Sequence, residues 1–211
     1  MHSFDQGSAE WFACRLGKVT ASKLSDVMAT VKSGEAAGRR NYRAQLVAER
    51  LSGQAADTFT NAAMQWGTDT EAAAREAYER ETLTPVVEVG FADHPTIPNS
   101  GASPDGLVGD DGLVEIKCPN TATHIDTLGG KPIDRKYLLQ IQWQMACTGR
   151  AWCDFVSFDP RMPETMALSI QRVERDDTLI AEMEEAVTAF LGEVDTTVTE
   201  LRNRYEQKEA A

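Results

Sequence analysis

Three charged residues near the middle of the chain have the types and spacing of a metal-dependent hydrolytic site. Asp105 is followed ten positions later by Glu115, and Lys117 stands two positions further on. The Asp-Gly turn at 110–112 lies between two apolar runs and predicts a β-hairpin, which would bring the three side chains together. Carboxylate oxygens are ligands that Mg²⁺ prefers, and an ammonium group beside them can orient a water molecule for attack.

The second strand of this hairpin has an alternating pattern. Val114 and Ile116 are expected on one face, where they can enter the core, and Glu115 and Lys117 on the other. A surface hairpin with a cross-strand ion pair would have the same pattern. Charges embedded in an apolar strand are costly unless they are paired or bound to a metal, which favours a functional site.

The rest of the chain supplies the elements that must position this hairpin. Helices are predicted over residues 9–15 after a Ser8 cap, from 20 or 22 to 28, and over 41–51, 61–81, 120–128, 134–147 and 178–205. The last of these is predicted to be amphipathic, because apolar residues from Leu179 to Leu201 recur in it as one stripe at helical spacing. Strands are predicted over residues 86–92, 152–158 and 166–173. This order predicts an α/β fold with a central mixed β-sheet flanked by helices.

The 211 residues carry a formal net charge of −12 that is unevenly distributed. Lys and Arg predominate in 15–50, whereas Asp and Glu predominate in 174–200. We therefore expect the basic segment to line the channel of a cyclic homo-oligomer that surrounds a polyanion, and the acidic helix to face outward. Four cysteines without C-x-x-C spacing indicate reduced thiols in a cytoplasmic protein, and no apolar run is long enough to span a membrane.

Five ordered motifs make the chain similar to a known nuclease family. Three of them are Trp-Gly-Thr-Asp-Thr-Glu at 66–71, Ser-Pro-Asp-Gly-Leu at 103–107 and Leu-Val-Glu-Ile-Lys-Cys-Pro at 113–119. The other two are Arg-Leu-Gly-Lys-Val-Thr-Ala-Ser at 15–22 and Phe-Asp-Pro-Arg-Met at 158–162. Over nearly its whole length the chain resembles the phage lambda exonuclease (YqaJ-type viral recombinase) family, within the PD-(D/E)xK nuclease superfamily.

This resemblance implies a single exonuclease domain over 1–211 with a restriction-endonuclease-like core. The implied activity is Mg²⁺-dependent 5′-to-3′ digestion of one strand of linear double-stranded DNA from a 5′-phosphorylated end. Its products would be mononucleotides and a 3′ overhang used in recombination by strand annealing. A ring-shaped homotrimer and a single-strand annealing protein are the implied partners. A site-specific or structure-specific endonuclease with the same core, and a non-catalytic DNA-binding module, are the alternatives.

The resemblance also assigns roles around the hairpin. Asp105, Glu115 and the backbone carbonyl of Ile116 would hold one Mg²⁺, and Glu71 would hold a second ion directly or through water. Mn²⁺ is expected to substitute for Mg²⁺. Lys117 would orient or deprotonate the attacking water, with its pKa lowered beside the metal. From its position in a helix alone, Glu71 is also typical of a solvent-facing glutamate.

A second group of residues is implied in holding the DNA end. Arg15, Thr20 and Ser22 would bind the 5′-terminal phosphate, although Thr20 and Ser22 are equally typical of helix caps. Ser103 is a further implied substrate contact.

Four more residues are candidates for contacts with the rest of the substrate. Tyr137 and Gln140 would orient the DNA or the attacking water. Lys32 lies in an expected mobile basic loop over residues 30–40 and could touch the DNA backbone. Met64 would be either an apolar wedge that unstacks the terminal base pairs or a buried core methionine.

Overall fold

The computed structural model describes residues 1–56 and 62–206. Its helices are α1 (Ala9–Arg15), α2 (Leu24–Val27), α3 (Ala37–Ser52), α4 (Ala62–Thr82), α5 (Thr121–Leu128), α6 (Arg135–Thr148) and α7 (Asp177–Tyr205). Short 3-10 turns cover Ala21–Lys23 and Glu164–Met166. Its strands are β1 (Val19–Thr20), β2 (Val86–Val87), β3 (Ala92–Asp93), β4 (Ser100–Ala102), β5 (Gly106–Val108), β6 (Gly112–Lys117), β7 (Trp152–Phe158) and β8 (Leu168–Glu174).

A five-stranded mixed sheet in the order β2-β5-β6-β7-β8 carries the hairpin. β5 and β6 pair antiparallel with Val108 opposite Gly112, so the predicted hairpin is confirmed. β6 and β7 pair in parallel, because the chain crosses over between them through α5 and α6. β8 pairs antiparallel to β7 at one edge. The prediction of an α/β fold with a mixed sheet flanked by helices is confirmed.

The two faces of this sheet are covered by different helices. On one face Val114 and Ile116 pack against Tyr78 of α4. On the other face Leu113 packs against Ile141 of α6. The predicted alternation along β6 is therefore confirmed, and it directs the side chain of the next odd-numbered residue, Glu115, towards α6.

Helix α6 is fixed at both ends by local backbone chemistry. At its start the Asp134 side chain accepts a hydrogen bond from the backbone N–H of Lys136 at 3.0 Å. At its end Gly149 adopts a left-handed conformation with φ of 72°, which favours glycine, and donates to the carbonyl of Met145. These caps define where α6 begins and ends, and hence which of its side chains face β6.

A smaller sheet joins the amino-terminal part of the chain to the hairpin. Its strand order is β1-β4-β3, and β1 pairs in parallel with β4 so that Thr20 lies opposite Gly101. Ser103 follows directly after β4, and Asp105 follows two residues later. The segment that contains Arg15 and Thr20 is thereby held next to the start of the hairpin.

The strand predicted over 86–92 is wrong as one element. Its first part is β2, which pairs with β5, and its last part is β3, which pairs with β4 in the other sheet. Gly90 lies between them against the amino-terminal segment, where a Cβ atom would stand 2.3 Å from the backbone oxygen of Phe4. The chain therefore switches sheets at this close contact.

Two predicted helices also begin elsewhere. α3 starts at Ala37, so Asn41 lies inside the helix instead of capping it, and the last part of the expected mobile loop is helical. An ion pair one turn apart between Glu35 and Arg39 supports the earlier start. The helix predicted from Thr20 or Ser22 is a short strand, a 3-10 turn and one helical turn; Thr20 is extended and makes no side-chain capping bond.

The predicted separation of basic and acidic surfaces is wrong for three arginines. Arg39 and Arg43 both bind the carboxylate of Glu193 on α7, at 2.7 Å and 2.6 Å. Arg50 binds Asp195 on the same helix. This arrangement arises because α3 packs against α7 in the core. Much of the positive charge of residues 15–50 is therefore paired with the acidic helix inside the subunit.

Helix α7 covers the range predicted for the carboxyl-terminal amphipathic helix. It begins after Asp176, whose side chain accepts from the backbone N–H groups of Thr178 and Leu179. Its buried face is the predicted stripe, which includes Met183, Val187, Phe190, Val194 and Val198. Among the helices of the described residues, none has the length and apolar content needed to cross a membrane.

Candidate active site

Glu115 lies at the centre of the site, fully buried in β6. Gln140 donates its side-chain amide to Oε1 of Glu115 at 2.6 Å, and Gln144 donates to Oε2 at 2.6 Å. Lys117 forms an ion pair with Oε1. A buried carboxylate requires such partners, since an unpaired charge in the interior is costly. Strand β6 thus supplies the acid, and α6 supplies the amides that fix its orientation.

Asp105 is joined to the same strand by a backbone hydrogen bond. It immediately precedes β5, and its Oδ2 accepts from the backbone N–H of Ile116 at 2.7 Å. Burial raises the pKa of Asp105 well above its ordinary value, and the charge of Glu115 adds to the rise. Its other oxygen, Oδ1, accepts no hydrogen bond from the described residues. The hairpin therefore brings Asp105, Glu115 and Lys117 together.

The charge of Lys117 is stabilised by its acidic neighbours. Burial lowers the pKa of Lys117, but the carboxylates of Glu115 and Asp105 outweigh burial and raise it above the ordinary value. This direction is opposite to the lowering expected beside a metal, because in this structure the carboxylates surround the ammonium directly. The ammonium also lies 5.3 Å from the ring centre of Tyr137, a cation–π distance. In this form Lys117 can donate hydrogen bonds and so orient a water molecule or a phosphate.

Glu71 approaches the site from α4. It lines a cleft of about 600 Å³ together with Asp105. Arg75, one turn further along α4, binds Glu71 at 3.1 Å. The amino-terminal segment forms the opposite wall of the cleft, because Gln6 donates its side-chain amide to the carbonyl of Pro104 at 2.9 Å. The structure thus brings Glu71 and Asp105 to one opening.

The donor set of this cleft fits a divalent cation. Carboxylate oxygens are the ligands of hard cations such as Mg²⁺. Burial is the main cause of the raised pKa of Asp105, and the negative charges of Glu115 and Glu71 add to it; a bound cation would favour the ionised carboxylate. Within residues 1–56 and 62–206, no three Asp, Glu, His or Cys side chains already converge as a metal cluster. Glu115 does not join such a cluster, because both of its carboxylate oxygens are bound by Gln140, Gln144 and Lys117.

Arg15 lies beside the start of the hairpin, at the end of α1. Its Nη1 donates to Oγ of Ser103 at 3.1 Å, and Trp11 donates its indole N–H to the same oxygen at 2.9 Å. The guanidinium lies 4.0 Å from the Trp11 ring centre, and burial lowers its pKa. No carboxylate of the described residues forms an ion pair with Arg15. A part-buried cation without an acidic partner is suited to an anionic ligand.

Thr20 is buried and contacts Tyr42, whereas Ser22 is exposed. The Tyr42 hydroxyl accepts from the backbone N–H of Thr20 at 3.1 Å and donates to the carbonyl of Lys18. Burial raises the pKa of Tyr42 to about 12, and the positive charge of Arg15 acts on the same hydroxyl. Arg15 and Thr20 therefore share one neighbour. Ser22 is exposed in the following 3-10 turn.

One predicted substrate contact, Lys32, is not brought to this cleft by any contact among the described residues, and a second, Met64, has no described side chain. Lys32 is exposed in the segment before α3 and makes no hydrogen bond or ion pair with the described residues. Met64 belongs to α4, but its side chain lies outside the described part of the chain. The choice between a wedge and a core methionine therefore stays a prediction.

Comparison with known families identifies the chain. Residues 10–151 match the YqaJ-like viral recombinase domain. The chain belongs to this family. The matched range contains nearly all of α1, the hairpin, α6, and Glu71 and Asp105 of the cleft.

Solved structures of similar proteins agree with the family assignment. The chain is 53% identical to LHK-Exo, described as an alkaline exonuclease from Laribacter hongkongensis, with a TM-score of 0.89. The match covers 95% of this chain and 99% of that one, and the same values hold for LHK-Exo in complex with dAMP. A phage-related exonuclease from Haemophilus somnus 129PT shares the fold, with 17% identity, a TM-score of 0.68 and coverage of 87% and 96%. A comparison with curated proteins found no match.

Several residues of the candidate site were missed by the sequence analysis. Gln144 contacts Glu115, and Trp11 and Tyr42 contact the surroundings of Arg15. Gln144 follows Gln140 by one helical turn, and this spacing on a helix that faces β6 is a signal that could have identified it. No comparable signal exists for Trp11, which reaches Ser103 across 92 positions of sequence.

Proposed function

We propose that this protein is a Mg²⁺-dependent 5′-to-3′ exonuclease of linear double-stranded DNA. One strand would be digested from a 5′-phosphorylated end to mononucleotides, leaving a 3′ overhang for recombination by strand annealing in the cytoplasm of a bacterial or phage-infected cell. The observation that carries the proposal is the convergence of Asp105, Glu115 and Lys117 on one hairpin, with Glu71 at the same cleft. The relative LHK-Exo is named as an exonuclease and has been crystallised with dAMP, a deoxynucleoside monophosphate.

The chain's own residues have separate parts in the proposed hydrolysis. Asp105, Glu115, the Ile116 carbonyl and Glu71 would hold two Mg²⁺ ions, or Mn²⁺ in their place. When bound, such ions stabilise the charge that develops on the attacking and leaving oxygens. Lys117 orients the attacking water through its ammonium group. The amide of Gln140 holds the carboxylate of Glu115 in place.

The polarity of digestion is assigned to the surroundings of Arg15. A terminal 5′-phosphate would accept hydrogen bonds from Arg15, Thr20 and Ser22, with Ser103 completing the pocket. Support comes from Arg15, which is part-buried, lies on the Trp11 ring and has no acidic partner among the described residues. Because Ser103 stands only two positions before Asp105, this pocket would hold a DNA end next to the proposed metal site.

The assembly is proposed on the resemblance to the family. A ring-shaped homotrimer would surround the duplex and keep the enzyme on DNA, and a single-strand annealing protein would take up the overhang. The channel of this ring would not be lined by Arg39, Arg43 and Arg50, because these arginines are paired with α7. Tyr137 and Lys32 remain proposed DNA contacts.

End-labelled linear duplex provides the decisive test. The protein is expected to release labelled 5′-mononucleotides with Mg²⁺, faster from 5′-phosphate than from 5′-hydroxyl ends, and to stop when EDTA is added. Cleavage of covalently closed supercoiled plasmid would instead identify an endonuclease. Binding of duplex without any hydrolysis, with Mg²⁺ or Mn²⁺, would identify a non-catalytic DNA-binding module.

A further inference from the structure

The Phe-Asp-Pro-Arg-Met motif at 158–162 has no role in the site described so far. Its aspartate, Asp159, is fully buried just after β7. It accepts hydrogen bonds from the Thr121 hydroxyl at 2.7 Å, from the backbone N–H of Arg161 at 3.0 Å and from Nε of Arg161 at 2.7 Å. These bonds, chiefly those from Arg161, lower the pKa of Asp159 to about 2. Asp159 and Arg161 therefore form an ion pair throughout the physiological pH range.

Arg161 is held rigidly by this pair and by two further contacts. Besides Nε, its Nη2 donates to Asp159 at 3.1 Å and to the carbonyl of Pro119 at 3.2 Å. The guanidinium also lies over the ring of Trp66, 4.6 Å from its centre. The remaining nitrogen, Nη1, has no hydrogen-bond partner among the described residues, and the side chain is 47% exposed. The edge of the guanidinium formed by Nε and Nη2 is thus fixed, whereas Nη1 presents its two N–H groups to solvent.

Arg161 contacts two residues that lie close in sequence to the candidate active site. Pro119, which it contacts, stands two residues after Lys117 at the end of β6. Trp66, which it covers, lies five residues before Glu71 on α4, about 7.5 Å along the helix axis. Pro119 and Trp66, which contact the Arg161 guanidinium, are therefore close in sequence to Lys117, proposed to orient water, and to Glu71, a proposed metal ligand.

We propose that Arg161 is a substrate-binding residue whose Nη1 donates to a phosphate of the DNA backbone at the Lys117 end of the sheet. The inference rests on the proposed function and adds a contact to that same site. Guanidinium groups match the geometry of phosphate oxygens, and a fork already fixed by Asp159 and Trp66 loses little conformational freedom on binding. Because Asp159 offsets much of the charge, Arg161 contributes a directed donor more than an unspecific attraction.

Arg172 is a matched control within the same chain. Its Nε and Nη2 bind the buried carboxylate of Asp154 at 2.8 Å and 2.9 Å, and its guanidinium lies 3.6 Å from the ring centre of Trp152. Its side chain is 49% exposed. The chemical surroundings of Arg172 and Arg161 are therefore alike. Asp154, however, pairs with Val114 near the other end of β6, away from Pro119.

Duplex binding measured without metal separates the two arginines. Fluorescence anisotropy with a 5′-phosphorylated duplex in EDTA, over a series of KCl concentrations, gives Kd and its salt dependence. Arg161→Gln is expected to raise Kd about tenfold, because a directed hydrogen bond to a phosphate is lost, and to reduce the slope of log Kd against log salt by less than about one unit, because Asp159 already offsets much of the charge. Arg172→Gln removes the same charge beside the same kind of acid and is expected to leave both values unchanged.

Two additions keep the test decisive. Arg161→Lys keeps a cation beside Asp159 but lacks the Nη1 group, so it should fold as the parent does and still bind about threefold or more weakly. With Mg²⁺, KM for duplex should rise in both Arg161 variants while kcat changes less. Parent-like Kd and salt slope in both folded variants would overturn the proposal. If the parent protein neither binds nor digests duplex DNA, the proposed function itself fails.

Discussion

Gln144 donates its side-chain amide to Oε2 of Glu115 at 2.6 Å, inside the layer between α6 and β6. Gln140 donates to the other oxygen of the same carboxylate. Both amides come from α6, one helical turn apart, whereas the acid comes from β6. The orientation of this proposed metal ligand is thus determined by a helix that joins it only in the folded protein.

Replacing Gln144 by Leu should lower kcat about 10- to 100-fold, the usual effect of removing a group that orients a metal ligand. It should also weaken binding of Mg²⁺, measured by the metal concentration that gives half-maximal hydrolysis. Gln142→Leu is the matched control, because Gln142 is buried on the same helix but bonds to Glu174 and Asp176 instead. An equal loss of activity per folded molecule in both variants would contradict the orienting role.

Asp105→Asn, Glu115→Gln and Lys117→Met should each reduce hydrolysis at least about a hundredfold, since each removes a charge from the reacting centre. Duplex binding in EDTA should change by less than about fivefold, because these residues would act on the scissile phosphate alone. Lys131→Met, which removes an exposed lysine paired with Asp126, should have no effect. Lys117→Met with activity close to that of the parent would show that Lys117 does not orient the water.

Arg15→Lys should lose most of the preference for 5′-phosphorylated over 5′-hydroxyl ends. Lysine keeps the charge but cannot both donate to Ser103 and offer a second planar donor edge to a phosphate. The measurement is the ratio of initial rates on the two labelled duplexes. Arg202→Lys on α7 serves as a control and should keep the parent's ratio. Unchanged discrimination in Arg15→Lys would locate the phosphate pocket elsewhere.

The ion pairs of Glu193 should stabilise the folded protein at neutral pH, and this stabilisation should be lost in acid. Hydrogen bonds from Arg39 and then Arg43 lower its pKa from 4.5 to about 2, so their contribution is complete above about pH 4.5 and is lost as the pH falls towards 2. Because Glu193 is partly exposed, the expected contribution is only about 1 kcal/mol. Urea unfolding at pH 6 and pH 2 should show Glu193→Gln less stable than the parent at pH 6 and nearly equal to it at pH 2. Glu182→Gln, on the exposed face of α7, should match the parent at both.

Size exclusion with light scattering should give about three times the mass of one chain. A free subunit with a net charge of −12, whose Arg39, Arg43 and Arg50 are paired with α7, should attract duplex DNA weakly. A closed ring would combine the remaining cationic groups of several subunits around one duplex. A monomer that digests long duplexes without dissociating would contradict the ring.

Features encoded by neighbouring residues were predictable from the sequence. The hairpin follows from an Asp-Gly turn and a two-residue alternation, and α7 follows from a stripe of apolar residues at helical spacing. Features that depend on contacts between residues far apart in the sequence were not predictable in this way. Residues 86–92 have the pattern of one strand, but Gly90 packs against Phe4, and the chain divides between two sheets there.

The same distinction applies to charge and to the site. Arg39 has the pattern of an exposed basic loop residue, and its pairing with Glu193 joins positions 154 residues apart. The residue types of Asp105, Glu115 and Lys117 indicated chemistry because acids and a lysine are unusual within an apolar strand. Gln144 has no such signal in its residue type, and its contact with Glu115 depends on how α6 packs against β6.

The parallel pairing of β6 with β7 has a consequence for biosynthesis. Two parallel neighbours cannot be joined by a tight turn, so β6 must wait for α5, α6 and β7 before it becomes an interior strand. A nascent chain that has emerged from the ribosome only as far as the hairpin carries Asp105, Glu115 and Lys117 but not the amides of α6. A truncated translation product that ends at the hairpin would therefore lack the orienting amides, and the candidate site is complete only when the carboxyl-terminal half has folded.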